Sequence, residues 1–259
     1  MTRSFLYRIK EQMKEHKSIG IIMSLFLLFM VGSMIYFFII KRIRDALMSI
    51  LFMLFVPLFF IVQYLFKIEF GPLFTLVVYF IASGAILGAC YDFYHLIPFF
   101  DDILHGLSGF IFACLGYAIV KSFFGEDDNN KKFMGCIILG AFFSLALGLL
   151  WELVEYTLNC LFGFDMLADT FIDGFNSYLL SGTHSEYVAI HNISKTLIYY
   201  GDEVYELNGY LDIGLIDSMT DMVVCFLGVI VFLLVTIVGR FKFKRINDIL
   251  LPKLYINKK

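Results

Sequence analysis

The sequence predicts an all-α membrane protein: six transmembrane helices with a small extracytoplasmic cap, itself a short helix plus a β-hairpin. Three observations predict it. Of 259 residues, 60% are hydrophobic and only 17% are charged, whereas a soluble domain is roughly half apolar and about a quarter charged. Mean hydropathy is +0.82. Six windows without a charged residue (18–40, 46–66, 70–91, 103–120, 133–151 and 222–239) each run 18 residues or more. At about 1.5 Å per residue, each can span a hydrocarbon core of roughly 30 Å as a helix. One such window could be a buried soluble helix; six in one chain could not be covered by the polar surface present. The composition excludes an ordinary soluble enzyme and a disordered chain. A net charge of −3 leaves no basic footprint for nucleic acid.

Along the chain, residues 1–17 are basic, and Phe5, Leu6, Ile9 and Met13 fall on one side of a helix. This segment is expected to lie on the membrane surface. The run that follows, 18–40, is longer than the apolar core of a signal peptide and ends at no A-x-A-like site, so it reads as an uncleaved first span. Pro57 falls inside the second span and is expected to kink it. Helices one to five occupy 18–160, the sixth 213–239, and a basic tail 240–259. No charge lies within the first three windows.

Lys and Arg set the orientation. With six spans, 16 of them fall on the side of both termini and four (Lys41, Arg42, Arg44 and Lys195) on the other. Both termini are therefore expected in the cytoplasm, with the loop 41–45 as the one discordant segment.

Only the connection 161–212 is long. It carries eight acidic residues and one lysine. Met166–Leu180 reads as helix-like. Thr196–Tyr200 and Glu203–Leu207 read as a hairpin turning at Gly201-Asp202. A lid or binding surface and a protective cap are equally open readings. The five cysteines contain no Cys-x-x-Cys and most sit in apolar runs, so they read as small buried side chains, with a Cys90–Cys160 bridge as the alternative.

The residues able to do chemistry are grouped. One helix opens with DDILHGLSG, which holds Asp101, Asp102 and His105; the next closes with WELVEY, which holds Trp151, Glu152 and Glu155; the last opens with DSMTDM, which holds Asp217 and Asp221. Asp101/His105 and Asp217/Asp221 are four apart and Glu152/Glu155 three apart, so each pair shares a helix face. Counted from the inner basic residues at about 1.5 Å per residue, all lie roughly 24–30 Å away, in one slab at the outer edge of the hydrocarbon. The basic residues and the acidic residues thus support the same topology. Ionisable groups at that depth face inward and pair or bind something. Carboxylates in contact cannot all stay charged without a cation or shared protons. Carboxylate and His pairs on facing helices can hold divalent metal, although the Glu-x-x-His pattern of four-helix di-metal proteins is missing. The alternative is a hydrogen-bond network that anchors helix ends. His95 reads as interfacial, with its neighbour Asp92 able to join the site; His184 and His191 read as solvated loop residues. Gly106, Ser108, Gly109, Gly140, Ser144 and Gly148 suit close helix approach. No phosphate-binding loop or nucleophile elbow is present.

In these residues the sequence resembles the YjdF-like family of predicted bacterial inner-membrane proteins. The resemblance rests on Asp-x-x-x-His before a small-residue helix, aromatic-Glu-x-x-Glu, and Asp-x-x-x-Asp-Met opening a last helix. It spans about residues 91–235 and matches Asp101, His105, Glu152, Glu155, Asp217 and Asp221. The outer loop is longer here, and Cys225 stands where relatives often carry a polar residue. A weaker likeness to VanZ-like proteins hints at cell-envelope work. The resemblance implies an architecture and no activity. The expectation is therefore a multi-pass protein of a bacterial plasma membrane with the lipid bilayer as its partner. Its Asp101, His105, Glu152 and Asp221 would be ligands to a divalent metal ion, and Glu155 or Asp217 a general base, acting on a lipid or envelope substrate. A proton- or cation-coupled carrier and a non-catalytic envelope interaction protein are the other readings.

Overall fold

A computed structural model of the chain describes residues 5–125, 129–183 and 185–255. The helices are α1 (Phe5–Glu15), α2 (Lys17–Ile39), α3 (Ile43–Met53), α4 (Phe55–Phe66), α5 (Pro72–Tyr91), α6 (Phe93–Leu96), α7 (Phe100–Phe124), α8 (Asn130–Phe162), α9 (Tyr178–Ser181), α10 (Leu215–Phe241) and α11 (Lys244–Leu250). The strands are short: β1 (Ile68–Glu69), β2 (Thr170–Ile172), β3 (Phe175–Ser177), β4 (Val188–Ile190), β5 (Thr196–Tyr200), β6 (Glu203–Leu207), β7 (Tyr210–Asp212) and β8 (Lys253–Leu254). Among the described residues, six helices are long and apolar enough to cross a membrane: α2, the α3–α4 pair, α5, α7, α8 and α10. The chain is an all-α membrane protein with small strand pairs.

Contacts divide the chain into two compact units, one of residues 1–149 with 222–259, the other of residues 150–221. The first holds the core. Met23, Phe26, Met30, Phe37, Phe74 and Tyr79 are among its buried residues. The opposite faces of the same helices are just as apolar: Ile21, Leu25, Leu28 and Ile35 of α2 are exposed. A helix that is hydrophobic all round suits lipid outside and protein inside.

The kink expected near Pro57 is a break between α3 and α4 at Leu54, whose N–H turns back to Leu51 O at 3.0 Å. Proline lacks an N–H and its ring crowds the carbonyl four residues earlier, here that of Met53. The charge-free windows also stopped short. Helix α8 runs on to Phe162, so Glu152 and Glu155 sit within a helix rather than at its close. The expectation of no charge in the first three spans is corrected: Asp45 in the first turn of α3 is buried. It pairs with Arg42, and Arg44 Nε lies 3.7 Å away. The window began one residue after it. This carboxylate offsets the discordant basic loop, and a helix N-terminus favours its charge.

Helix α1 is stitched to the chain by Arg8 and Gln12, which share a face with Glu15, while Leu6 and Met13 stay exposed. Buried Gln12 donates to Gln63 Oε1 at 2.8 Å and to Phe70 O at 2.9 Å. Gln63 Oε1 also accepts the Phe70 N–H at 2.8 Å. Arg8 donates to Gln63 O and Ile68 O at 3.3 and 3.2 Å and lies 3.9 Å from the Tyr255 ring centre. Burial draws Arg8 below the usual guanidinium range, against the opposing pull of Tyr255 and Glu69. Strand β8 closes the arrangement: it pairs with β1 through Ile68↔Leu254 and Glu69↔Lys253, and the Tyr255 N–H reaches Lys67 O at 2.8 Å.

The second unit carries the strand pairs β2–β7, β3–β4 and β5–β6, all antiparallel. The hairpin β5–β6 has the expected arms. The helix-like reading of 166–180 is corrected: Thr170–Ile172 and Phe175–Ser177 are strands, and only Tyr178–Ser181 is helical. Asp173-Gly174 interrupts any helical period there. A Cβ at Gly174 would lie 2.5 Å from Ile190 O, so the close β3–β4 approach requires glycine. All five cysteines are free. Cys90, Cys114, Cys136 and Cys225 are buried and Cys160 is exposed, so the alternative Cys90–Cys160 bridge is not formed.

Candidate functional site

In the first unit, α7, α8 and α10 meet along a seam of small residues. A Cβ on Gly109 would lie 2.1 Å from Cys225 O, and one on Gly228 would lie 2.1 Å from Gly106 O. One on Gly148 would lie 3.0 Å from Cys225 Sγ. Ser144 Oγ donates to Gly109 O at 2.7 Å, joining α8 to α7. Gly140 packs against Ala113 O and the Tyr117 backbone. Backbones this close need residues without bulk, so five of the six small residues read from the sequence do pack helix on helix. Ser108 instead donates to His105 O within its own helix at 2.8 Å.

The ionisable residues lie one turn along from that seam on each helix. His105 is four residues before Gly109, Glu152 four after Gly148, and Asp221 four before Cys225. On α7, His105 Nε2 and Asp101 Oδ1 are 3.6 Å apart, with the imidazole largely buried and the carboxylate half-buried. This is the i,i+4 face that the sequence predicts. Asp221 on α10 is buried.

In the second unit Glu152 is buried and accepts a hydrogen bond from the Ser218 hydroxyl, with Asp217 close enough for its charge to act on it. Asp217 Oδ2 accepts the Ala168 N–H at 2.8 Å, and Asp212 Oδ2 accepts the Ile216 N–H at 2.8 Å, capping α10. Glu155 is half-buried and Trp151 is exposed. Asp92 does not join this group. It holds the exposed His95, Nδ1 to Oδ1 at 2.6 Å. His184 lies outside the described residues.

The family model described as "Predicted membrane protein (DUF2238)" matches residues 21–241. The chain belongs to that family. Its DUF2238 membership agrees with the YjdF-like resemblance and lends nothing to the VanZ-like one. No curated protein and no solved structure matches the chain. The DUF2238 match reaches into all six spans and includes Asp101, His105, Glu152, Glu155, Asp217 and Asp221.

Sequence reasoning missed Asp45, Gln12 and Gln63. Gln63 carried a usable signal: it is the lone amide in the apolar run 55–66, and a polar group there needs a partner. Asp45 carried less, because it borders a charge-rich loop and reads as part of it.

Proposed function

We propose that this chain is a multi-pass protein of a bacterial plasma membrane, both termini cytoplasmic, that binds a divalent cation through Asp101, His105, Glu152 and Asp221 and acts on a lipid or envelope substrate. The small-residue seam carries this reading. Three helix backbones in close approach would be a costly arrangement to build only to anchor helix ends, and each of His105, Glu152 and Asp221 stands one turn from it. A bound divalent ion would polarise a phosphoryl or acyl oxygen or lower the pKa of a water. Glu155 or Asp217 would take the proton, and the 161–212 segment would bound the substrate. Elemental analysis of the purified protein tests this: about one or two divalent ions per chain, lost in Asp101→Asn and Glu152→Gln. Wild-type protein without such an ion removes the metal.

One observation favours a second reading. Asp45 gives the second span a buried carboxylate, as a proton- or cation-coupled carrier would need along its path. Ion flux in proteoliposomes that is abolished by Glu155→Gln supports the carrier over the enzyme.

A further inference from the structure

We propose that Glu15, His16 and Glu69 form a second divalent-cation site, outside the spans and independent of the acids of α7, α8 and α10. One carboxylate oxygen from each Glu and one imidazole nitrogen of His16 lie within 4.8 Å of one another. A transition-metal shell with bonds of about 2.0–2.2 Å holds its donors roughly 3–4 Å apart, so the side chains need close by only about an ångström.

The local fold brings these donors together. Glu15 ends α1 on the same face as Arg8 and Gln12. His16 is the break between α1 and α2, with φ −127° and ψ 78°. Glu69 lies between two backbone carbonyls that α1 grips: Arg8 donates to Ile68 O and Gln12 to Phe70 O. The face that seats α1 therefore carries Glu15 to Glu69. Beside them is a cavity of about 40 Å³ whose wall includes Glu11, Glu15 and Glu69, room for a water to complete a coordination shell.

The donor set selects the ion. Arg8 acts on Glu69 by its charge, and Lys253 stands opposite Glu69 in the β1–β8 register, so positive charge is already at hand. Neither cation can use an imidazole lone pair. An imidazole with two carboxylates suits Zn²⁺, Co²⁺ or a similar ion over Ca²⁺ or Mg²⁺, which prefer all-oxygen shells. The ion would tie the end of α1 to the α4–α5 connection.

The test uses the full chain, purified and stripped with a chelator, titrated with Zn²⁺ by calorimetry and with Co²⁺ by visible absorption. Wild type takes up an ion with an imidazole–carboxylate spectrum. His16→Gln and Glu15→Gln each weaken that uptake by at least about ten-fold, whereas replacement of an exposed imidazole outside both sites, His191→Gln, retains it. Both side chains are at least partly exposed, and stripped variants that melt with the stripped wild type show that the fold is intact. Wild type that takes up no ion overturns the proposal, as does uptake unchanged in both variants.

Discussion

Gly109→Ala places a methyl where the backbone of α10 already stands. The new Cβ would meet Cys225 O at 2.1 Å, Cys225 C at 2.9 Å and Cys225 Cα at 3.1 Å. Main-chain atoms cannot rotate away, so α7 and α10 must separate by about 1 Å to reach ordinary contact, and a gap of that size forfeits a quarter to a half of the dispersion wells along the seam. Overpacking of this kind costs about 1–3 kcal/mol. Helix propensity alone predicts the opposite sign, a gain of up to about 1 kcal/mol. Gly32 and Gly135 have nothing within 4 Å of a built Cβ, so alanine there reports propensity without the clash. Thermal unfolding in detergent should rank Gly109→Ala below wild type and Gly32→Ala and Gly135→Ala at or above it. Gly109→Ala as stable as wild type would refute the close seam and the reasoning that places the acids beside it.

Other outcomes follow from the same structure. Gln63→Leu leaves the Phe70 N–H and the Gln12 amide buried without their partner and should destabilise by about 1–3 kcal/mol, read as faster proteolytic release of the N-terminal helix. Asp45→Asn removes the carboxylate that Arg42 pairs with and should lower stability by about 1–3 kcal/mol, with the loss in melting temperature shrinking when Arg42 is also replaced. Tyr205 donates to Glu203 Oε2 at 2.6 Å, and that bond holds its phenol above the usual range. Any stability it lends is present below the unfolded phenol's pKa and is lost as pH rises through the folded one. The ultraviolet titration difference between wild type and Tyr205→Phe should move to lower pH in a Glu203→Gln background.

Much of the fold was legible because a bilayer imposes a simple rule: backbone groups must be satisfied within the segment and side chains must be apolar. Charge-free length therefore found all six spans. It failed at their edges, where Asp217, Glu152 and Asp45 belong to helices that a rule based on charge cuts short. The hairpin was readable from the Gly201-Asp202 turn set between Thr196–Tyr200 and Glu203–Leu207. Thr170–Ile172 was not, since three residues hold too little periodicity to separate strand from helix, and their partner Tyr210–Asp212 is distant in sequence. For the candidate site, the pairing of Asp101 with His105 follows from helical spacing alone. The Glu152–Ser218 bond does not, because it joins elements separated by the whole long loop. The seating of α1 was hidden for the same reason: Arg8 and Gln12 look like solvent-facing residues until residues 63–70 and 255 come to them.

The contact of Tyr255 with Arg8 and Glu11 joins residues up to 247 positions apart. A ribosome releases the N-terminal helix first, and Tyr255 leaves the exit tunnel only after every span has done so. Until then the guanidinium of Arg8 has no ring to stack on and β1 has no partner strand. Biogenesis thus passes through a state in which the helices are inserted and this clasp is still open. A chain truncated before Lys253 would remain in it, exposing to quality-control proteases a surface that the finished protein conceals.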